Sequence, residues 1–441
     1  MALFGTDGVR GVAGVDLTKE LAHDLAVAAA HVLTDLGEFA GHKPRAIIAQ
    51  DSRESGAYLE EAIAKGLSES GVDVIRVGIL PTPAVSFLVT ELKADLGVMI
   101  SASHNPATDN GIKFFARDGR KLADSVEAQI EALLDKPWSA NGNIGNISFD
   151  EGARESYIKY LLRTIHSDFS GLKIVVDCAN GAASFVAPET LRRAGAEVIA
   201  ISDKPNGMNI NENCGSTHLE NLISKVKSEQ ADLGIAHDGD ADRVLAIDHD
   251  GNVIDGDHIL GILADHTELP TKKIVGTVMT NLGLIRALES RGVGFVATPV
   301  GDRYVLEKML AEGHMLGGEQ SGHVIMRKFA ITGDGILTAL HLISEVARSK
   351  KSLKELAAFM QRYPQVLINV KGVDKSKLNT NLAVQNRVIE IERELGATGR
   401  VLLRASGTEP VIRVMIEAQS QEKAEGFASA LAALVKSELA L

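Results

Sequence analysis

A cluster of polar side chains follows a short apolar stretch near residue 100. Residues 96–100 are apolar or glycine, and Ser103, His104 and Asn105 come soon after them. A short apolar run closed by turn-forming residues is typical of a buried strand that ends in a loop, and Pro106 prevents a regular strand from continuing. The loop presents a hydroxyl at the end of a strand. It is either a reactive site or an ordinary polar turn.

A second loop of the same kind carries three carboxylates at alternate positions, Asp238, Asp240 and Asp242. Carboxylates this close repel one another unless a cation neutralises them, and Mg²⁺ takes oxygen ligands in a compact octahedron. An EF-hand is excluded because Arg243 stands where that loop requires glycine. We predict a magnesium site here, and the alternative is an acidic surface turn.

The two loops occupy equivalent places in an internal repeat. Residues 94–99 and 231–236 have nearly the same sequence, so Ser103 corresponds in position to Asp240. A phosphate on Ser103 would bring a further charged oxygen to the metal, which predicts phosphoryl transfer through a phosphoserine. A serine hydrolase using His104 as base is disfavoured, because neighbours in an extended segment point to opposite sides. The sequence contains neither a Gly-x-Ser-x-Gly elbow nor a Walker A motif.

Three further groups of residues could bind a sugar phosphate. Glu319 and Ser321, in a Gly-rich loop, could bind sugar hydroxyls, although a polar turn would look the same. Lys113 and Arg10 are cations that could reach the same cleft, and for Lys113 the default expectation is a solvated side chain. A C-terminal hairpin could grip a phosphate with guanidinium groups, hydroxyls and a glycine, or be a plain hairpin loop; its residues are Arg404, Ser406, Gly407, Thr408 and Arg413.

The elements that must position these loops recur three times along the chain. Strands are predicted at residues 46–51, 173–177 and 273–277, each followed by a helical stretch and a strand that begins with glycine. The sequence therefore predicts three copies of one α/β unit. Open α/β sheets bind ligands beyond the carboxyl ends of their strands, so three such loops can converge on one cleft.

The chain changes character after residue 363, where strand, helix, hairpin and helix patterns predict a small α+β domain. The predicted fold class is α/β, with three repeated mixed α/β domains plus a smaller α+β C-terminal domain around a central cleft. We expect the last domain to close on the cleft about a hinge near residues 364–372. The predicted domains are a phosphoserine-loop domain (1–150), a metal-binding domain (151–252), a sugar-binding domain (253–363) and a C-terminal phosphate-binding domain (364–441).

Composition narrows the class of protein. The 441 residues carry a formal net charge of −12 without a basic run, which disfavours nucleic-acid binding. The two cysteines lie in no metal-ligand spacing and fit a reducing compartment. Neither a signal-peptide pattern nor an apolar run of bilayer length is present, so we expect a cytoplasmic protein with no membrane partner.

These motifs, in this order and spacing, resemble the four signature regions of the α-D-phosphohexomutases, and the resemblance extends over residues 4–413. Within that family the chain is similar to the bacterial branch that acts on glucosamine phosphate. The pointers are residues 211–218, residues 298–304 and Gln320, where relatives acting on glucose or mannose phosphates commonly carry methionine.

The resemblance implies roles for the residues of the four motifs. Ser103 would be the phosphoserine and would bind Mg²⁺ together with Asp238, Asp240 and Asp242. Lys113, Arg10 and His323 would assist proton transfer and charge balance. The other implied roles are sugar binding by Glu319 and Ser321, and binding of the non-transferring phosphate by Arg404, Ser406, Gly407, Thr408 and Arg413.

The implied reaction interconverts glucosamine 6-phosphate and glucosamine 1-phosphate, for UDP-N-acetylglucosamine and cell-wall precursor synthesis. It would need Mg²⁺, activating phosphorylation of Ser103 and hexosamine 1,6-bisphosphate as primer. The expected partner is a small-molecule sugar phosphate, and a homodimer remains open. Alternatives are a glucose or mannose phosphate mutase, a sugar phosphatase and a sugar-phosphate sensor.

Overall fold

The computed structural model describes residues 3–5, 7–134, 136, 144–406 and 410–441 and arranges them in four consecutive units, each built on its own sheet. Gly407 and Thr408, two of the predicted phosphate-binding residues, lie outside the described residues. Short 3₁₀ helices occur at Ala182–Phe185, Gly215–Thr217, Lys375–Lys377 and Gly396–Thr398.

The first unit contains a seven-stranded sheet in the order β1-β2-β6-β5-β3-β4-β7. Its strands are β1 (Phe4–Gly5), β2 (Gly8–Val12), β3 (Arg45–Gln50), β4 (Asp73–Ile79), β5 (Leu96–Ile100), β6 (Asp109–Ala116) and β7 (Ile147–Phe149), and its helices are α1 (Lys19–Asp35), α2 (Ser55–Glu69), α3 (Thr82–Glu91) and α4 (Asp124–Glu131). The side chains of β5 are buried along its whole length, as expected for a central strand covered on both faces.

The second unit contains a five-stranded sheet in the order β12-β11-β10-β8-β9. Its last strand lies just past residue 252, where the sequence prediction divided the second and third domains. The elements are α5 (Ala153–Arg163), β8 (Lys173–Asp177), α6 (Ala187–Arg193), β9 (Glu197–Ile201), α7 (Glu220–Glu229), β10 (Leu233–His237), β11 (Val244–Asp248) and β12 (Val253–Ile254).

The third unit contains a four-stranded sheet in the order β14-β13-β15-β16. Side-chain oxygens of Asp255, Asn281 and Asp334 cap its helices α8, α9 and α11, which satisfies backbone N–H groups that would otherwise lack partners. The elements are α8 (Gly256–Ala264), β13 (Lys273–Thr277), α9 (Leu282–Ser290), β14 (Gly294–Thr298), α10 (Asp302–Glu312), β15 (Leu316–Gly318), β16 (Val324–Met326), α11 (Gly335–Ser349) and α12 (Leu353–Ala357).

The predicted threefold repeat is confirmed by strand pairing. In each of the first three units a central strand pairs in parallel with two neighbours, and one neighbour pairs with an antiparallel return strand. The equivalent strand sets are β6-β5-β3-β4, β11-β10-β8-β9 and β16-β15-β13-β14. The serine, aspartate and glutamate loops each connect the first two strands named in their set (β5 to β6, β10 to β11 and β15 to β16), so they occupy the same place in three sheets.

The C-terminal unit is built differently, with a three-stranded antiparallel sheet in the order β17-β19-β18. Its elements are β17 (Gln365–Lys371), α13 (Leu382–Leu395), β18 (Arg400–Ala405), β19 (Val411–Glu417) and α14 (Gln421–Glu438). Strand β17 pairs with β19 at every position from Gln365 to Lys371. Most of the stretch predicted as a hinge, residues 364–372, is therefore a paired strand of the C-terminal sheet, and closure of this unit about that stretch stays a prediction.

Five apolar clusters of buried residues stabilise the described part of the chain. One continuous cluster contains buried residues from all three α/β units, among them Ile47, Val176 and Ile274. The C-terminal unit has its own cluster, which includes Val414 and Leu431. Burial of apolar surface therefore holds the first three units together and stabilises the fourth by itself. In the described part of the chain, no helix combines the length and apolar character that crossing a bilayer requires.

Candidate active site

Ser103 lies in the loop after β5 and points at the loop between β10 and β11 of the second unit. That loop carries Asp238, Asp240 and Asp242 and, because it is the predicted magnesium site, is called the metal loop below. Its Oγ donates a hydrogen bond to Asp238 Oδ2 at 2.6 Å, and its side chain is almost completely buried. Its backbone φ is +53°, in the left-handed region, which a serine adopts only when its surroundings hold it there. The structure thus brings together the serine and one of the three predicted carboxylates.

Two side chains hold this strained turn by its backbone carbonyl groups. Arg53 Nη2 donates to the carbonyl oxygens of Ser103 (3.1 Å) and Asn105 (2.6 Å), and Asn211 Nδ2 donates to the same two oxygens (2.9 and 3.0 Å). Gly239 packs so closely on this turn that a Cβ would lie 2.5 Å from the Ser103 oxygen. The serine loop and the metal loop are therefore in contact through their backbones.

A buried ion pair supports the same turn from below. Asp51 and Arg53, which follow β3, form a salt bridge in which neither side chain is exposed. Asp51 Oδ2 also accepts a hydrogen bond from Ser101 Oγ (2.5 Å), which in turn accepts one from the Ser103 backbone N–H (2.9 Å). The position of Ser103 is thus determined by side chains of a neighbouring strand end.

His104 lies closer to the serine than the sequence argument allowed. Because Ser103 is left-handed rather than extended, the two side chains do not point to opposite sides, and Oγ lies 3.4 Å from His104 Nδ1. Burial and the nearby cations Arg243 and Arg10 lower the pKa of His104 to about 4. His104 is therefore neutral near pH 7.

The three aspartates of the loop after β10 form a compact buried group. One oxygen from each of Asp238, Asp240 and Asp242 lies within 4.8 Å of the others, and at most 3% of each residue is exposed. Among the described residues, Asp240 Oδ1 and Asp242 Oδ1 have no hydrogen-bond partner, although both atoms are buried. Buried carboxylate oxygens without donors fit a hard cation such as Mg²⁺.

The electrostatics of the three carboxylates differ. Burial and the charges of Asp242 and Asp240 raise the pKa of Asp238 well above its ordinary value. Burial would also raise the pKa of Asp240, but the Lys113 ammonium outweighs it and holds that pKa well below the usual range. Burial and Asp240 raise the pKa of Asp242. A cation would relieve this repulsion.

Lys113 is not solvated, contrary to the default expectation. It lies on β6 with only 1% of the residue exposed, and its Nζ lies 2.8 Å from Asp240 Oδ2 and 2.9 Å from Asp7 Oδ2. Thr82 Oγ1 donates to the same oxygen of Asp240 at 2.6 Å. Burial opposes the charge of Lys113, but Asp240 and Asp7 raise its pKa, so the ammonium group persists. Lys113 thus orients one oxygen of the metal loop.

A chain of alternating charges extends from Lys113 toward the third unit. Asp7 also pairs with Arg10 and Lys121, and Lys121 Nζ lies 2.6 Å from Asp302 Oδ2. Asp302 Oδ2 lies 3.5 Å from His323 Nε2. The structure therefore connects the predicted residues Arg10, Lys113 and His323 through three groups that the sequence analysis missed.

The predicted sugar loop lies between β15 and β16. Glu319 Oε1 accepts a hydrogen bond from the Gly301 backbone N–H at 3.1 Å, and Ser321 is exposed. Gln320 Nε2 lies 3.5 Å from Asp255 Oδ2. The main chain links this loop to the metal loop, since Val244 N–H donates to the Gly322 oxygen at 3.1 Å. The second and third loops are thus neighbours.

Three of the residues predicted to bind phosphate, Arg404, Ser406 and Arg413, lie on or next to the separate sheet of the C-terminal unit. Arg404 and Arg413 are opposite one another on β18 and β19, and burial together with the Arg413 charge lowers the pKa of Arg404. Ser406 is buried at the end of β18, where its carbonyl oxygen accepts a hydrogen bond from Lys375 Nζ at 2.8 Å. Two guanidinium groups side by side repel unless an anion lies between them, which suits a phosphate.

The other end of that sheet joins the third unit. Glu417 accepts hydrogen bonds from the Leu282 backbone N–H at 3.2 and 3.4 Å and pairs with Arg400 at 2.5 Å. Tyr363 and Asn281 form two further hydrogen bonds at the chain connection. The C-terminal unit is therefore attached at the end opposite its phosphate hairpin.

Sequence reasoning missed several residues that shape this site. Asp51 ends a predicted strand and Arg53 lies two residues beyond it, so the rule that ligands bind at carboxyl strand ends could have found them. Asp302 belongs to a stretch noted only as a family marker. Asp7 and Lys121 carried no signal of their own, because Lys121 lies more than 100 residues from both Asp7 and Asp302.

Models of one protein family match almost the whole chain. The family is described as phosphoglucomutase/phosphomannomutase, and four of its models match in the order of the four units. The matches are alpha/beta/alpha domain I at residues 1–140, domain II at 155–251, domain III at 255–363 and the C-terminal domain at 367–434.

Individual relatives agree with this match. The chain is 54% identical over 448 residues to a phosphoglucosamine mutase of Cutibacterium acnes, covering 100% of this chain and 99% of that protein. It resembles the crystal structure of a putative phosphomannomutase from Thermus thermophilus (28% identity, TM-score 0.79, 98% of both chains). It shares the fold of Aspergillus fumigatus N-acetylphosphoglucosamine mutase in complex with GlcNAc-6P and magnesium (18% identity, TM-score 0.70, 99% and 96% of the two chains).

Proposed function

Since this chain belongs to the phosphoglucomutase/phosphomannomutase family, we propose that it interconverts glucosamine 6-phosphate and glucosamine 1-phosphate. The curated relative at 54% identity over the full chain supports the amino sugar as substrate. The observation that carries the reaction type is the 2.6 Å hydrogen bond between Ser103 Oγ and Asp238, which brings a buried hydroxyl to a three-carboxylate site.

In the proposed cycle Ser103 carries a phosphoryl group. The 1-hydroxyl of glucosamine 6-phosphate attacks that phosphorus and loses its proton, the bond from phosphorus to Ser103 Oγ breaks, and glucosamine 1,6-bisphosphate forms. The bisphosphate turns end for end, and Ser103 Oγ then takes the phosphoryl group from O6 to release glucosamine 1-phosphate. Hexosamine 1,6-bisphosphate serves as primer, because it can phosphorylate an unmodified Ser103.

Asp238, Asp240 and Asp242 would hold Mg²⁺ in this scheme, which their buried and unpartnered oxygens support. When bound, the ion supplies positive charge against which a phosphoryl group can transfer. Lys113, already paired with Asp240, keeps that carboxylate ionised and adds a second positive charge beside the serine loop. Arg10 and His323 flank the same charge chain and are the groups we assign to charge balance and proton transfer.

The remaining residues hold the substrate. We assign Glu319 and Ser321 to the sugar hydroxyls and Arg404, Ser406 and Arg413 to the phosphate that is not transferring, with Gly407 and Thr408 from the same hairpin. Both ends of the bisphosphate must use these groups in turn, so the C-terminal unit has to move toward and away from the cleft. Such a lid also excludes water from the phosphoserine.

A glucose or mannose phosphate mutase is the second candidate, since the Thermus thermophilus neighbour is called a putative phosphomannomutase. The test is a ³¹P NMR time course with glucosamine 6-phosphate, Mg²⁺ and a trace of hexose 1,6-bisphosphate. Growth of an anomeric-phosphate signal at constant total sugar phosphate supports the proposal. Release of inorganic phosphate indicates a phosphatase instead, and turnover of only glucose or mannose phosphates indicates the second candidate.

A further inference from the structure

The turn that begins helix α10 connects the first unit to the sugar loop. Gly301 donates its backbone N–H to Glu319 Oε1 at 3.1 Å, and the next residue, Asp302, accepts from Lys121 Nζ at 2.6 Å. Gly301 has φ +137°, a conformation that side chains rarely adopt, so the turn depends on glycine to aim this N–H. Asp302, which pairs with Lys121 of the first unit, is therefore the direct chain neighbour of Gly301, which binds Glu319.

A second tie joins the same turn to the first unit. Arg303 Nη2 donates to Glu127 Oε2 at 3.0 Å, and Arg303 also pairs with Asp124. Both carboxylates lie on α4, whereas Lys121 lies just before that helix. Two consecutive residues of the turn are thus bound to one short segment of the first unit.

Lys121 is buried between two carboxylates. Its side chain is 11% exposed, and Nζ contacts both Asp7 and Asp302. Burial opposes its charge, but Asp302 and Asp7 outweigh burial and raise the pKa of Lys121. The ammonium group is therefore held in place by charge on both sides.

We propose that Lys121 is a positioning residue of the reaction, which holds Asp302 and thereby keeps the Gly301 N–H on Glu319. The inference rests on the proposed function, because it requires Glu319 to bind sugar hydroxyls. Lys121 then acts on sugar affinity through the turn, while Ser103 and the three aspartates remain in place.

The first test compares Lys121→Met and Lys121→Arg with the wild-type enzyme. We expect Lys121→Met to raise KM for glucosamine 6-phosphate about tenfold and to leave kcat within about threefold of wild type. This pattern is typical of losing an interaction that the enzyme makes equally with substrate and transition state. Lys121→Arg keeps the charge and should recover most of the affinity. Lys65→Met, an exposed lysine of the same unit, is the matched control and should leave both constants unchanged. An unchanged KM in Lys121→Met overturns the inference.

The second test asks whether the effect passes through Glu319. In a Glu319→Ala background, adding Lys121→Met should change the affinity for glucosamine 6-phosphate less than twofold, measured by calorimetry as well as by turnover. An equal tenfold loss in both backgrounds overturns the inference, because Lys121 would then act independently of Glu319. If Lys121→Met does not fold by thermal melting, Lys121→Gln takes its place in both tests.

The proposed function and this inference fail in different ways. A wild-type enzyme that does not convert glucosamine phosphates contradicts the proposed function. The same cycle of variants is then measured with glucose and mannose phosphates, where the predicted dependence on Glu319 is unchanged. A wild-type enzyme that is active while Lys121→Met matches it contradicts only the positioning role.

Discussion

The loop after β5 and the loop after β10 lie at the same place in two copies of one fold, yet they hold their polar groups in opposite ways. In the serine loop, Arg53 and Asn211 bind the backbone carbonyl oxygens and one hydroxyl projects toward the neighbouring loop. In the metal loop, three side chains converge and two of their buried oxygens have no donor among the described residues. The serine loop has hydrogen-bond donors for its backbone carbonyl oxygens, whereas the metal loop has buried carboxylate oxygens without donors among the described residues.

The backbones differ as well. The left-handed residue is Ser103 in one loop and Ala241 in the other, one place later than the position equivalent to Ser103. The repeat thus fixes where a loop leaves the sheet, while contacts from other elements decide how the loop turns. The lesson is that duplicated strands provide equivalent positions, and the chemistry depends on what the neighbouring unit presents to each position.

Removing the hydroxyl of the serine loop should have the largest effect. Ser103→Ala leaves no acceptor for the phosphoryl group, so we expect mutase turnover to fall by about 10⁴-fold or more. The melting temperature should stay close to that of wild type, because the carbonyl contacts of the loop do not involve the hydroxyl. Ser228→Ala, an exposed serine, is the control. Substantial turnover in Ser103→Ala would show that the phosphoserine assignment is wrong.

Removing a charge from the metal loop should have the next largest effect. It should lower turnover but raise the melting temperature of the metal-free protein. Asp242→Asn should lower turnover about a hundred- to a thousandfold, because metal charge compensation is lost. With chelator present, the same variant should melt at a higher temperature than wild type, since repulsion among buried carboxylates is relieved.

Glu220→Gln, an exposed carboxylate in the same unit, is the control for both measurements and should change neither. Thermal melts with chelator and with MgCl₂ provide the comparison. If Asp242→Asn gains as much stability from MgCl₂ as wild type does, the metal site lies elsewhere.

Removing Arg53, which binds the backbone of the serine loop, should have a larger effect on the free energy of unfolding than on turnover. Arg53→Met leaves Asp51 buried without its cation and removes one of the two donors to each of two carbonyl oxygens, so we expect the free energy of unfolding to fall by about 3–5 kcal/mol. Turnover should fall about tenfold, because Asn211 still binds the same carbonyls. Urea unfolding and steady-state kinetics measure the two effects. Adding Asp51→Asn should restore part of the stability, and no recovery would indicate that the carbonyl contacts dominate.

The smallest effect should come from a hydrogen bond behind the metal loop. Thr82→Val keeps the shape of the side chain and removes the donor to Asp240 Oδ2, so Mg²⁺ affinity should fall about tenfold. Turnover at saturating Mg²⁺ should remain within about twofold of wild type, which a Mg²⁺ titration of activity measures. Thr90→Val, exposed on the same helix, is the matched control. An unchanged Mg²⁺ dependence would mean that Lys113 alone orients this oxygen.

The repeated fold and the positions of the serine and aspartate loops could be predicted because their signals are local. Buried parallel strands are continuous apolar runs, and copies of one run can be recognised by comparing segments. Three aspartates at alternate positions after such a run fit a cation site better than an ordinary surface turn. The C-terminal α+β pattern was equally visible in strand and helix periodicities.

The rest depended on contacts between distant parts of the chain. The default expectation for Lys113 was a solvated side chain, beside the role in the cleft that the resemblance implied, and its burial follows from Asp240 and Asp7, which no local pattern connects to it. The left-handed turn at Ser103 follows from Arg53 and Asn211, so the extended geometry assumed for Ser103 and His104 was wrong. Most of the stretch expected to be a hinge is a strand, because pairing with β19 outweighs its flanking proline and glycine.

The C-terminal unit is attached to the third unit at one end of its sheet, so a small rotation there moves the far end of the sheet by a larger distance. Glu417 and Arg400 anchor one end, and the hairpin predicted to bind phosphate begins five residues further along β18, about 17 Å away at the rise of a β-strand. A rotation of about 10° at the anchor would displace the hairpin by about 3 Å, the length of a hydrogen bond. A bisphosphate could thus be released at one end and turned while the cleft stays partly covered, so small angular freedom at Glu417 would govern how often the intermediate escapes.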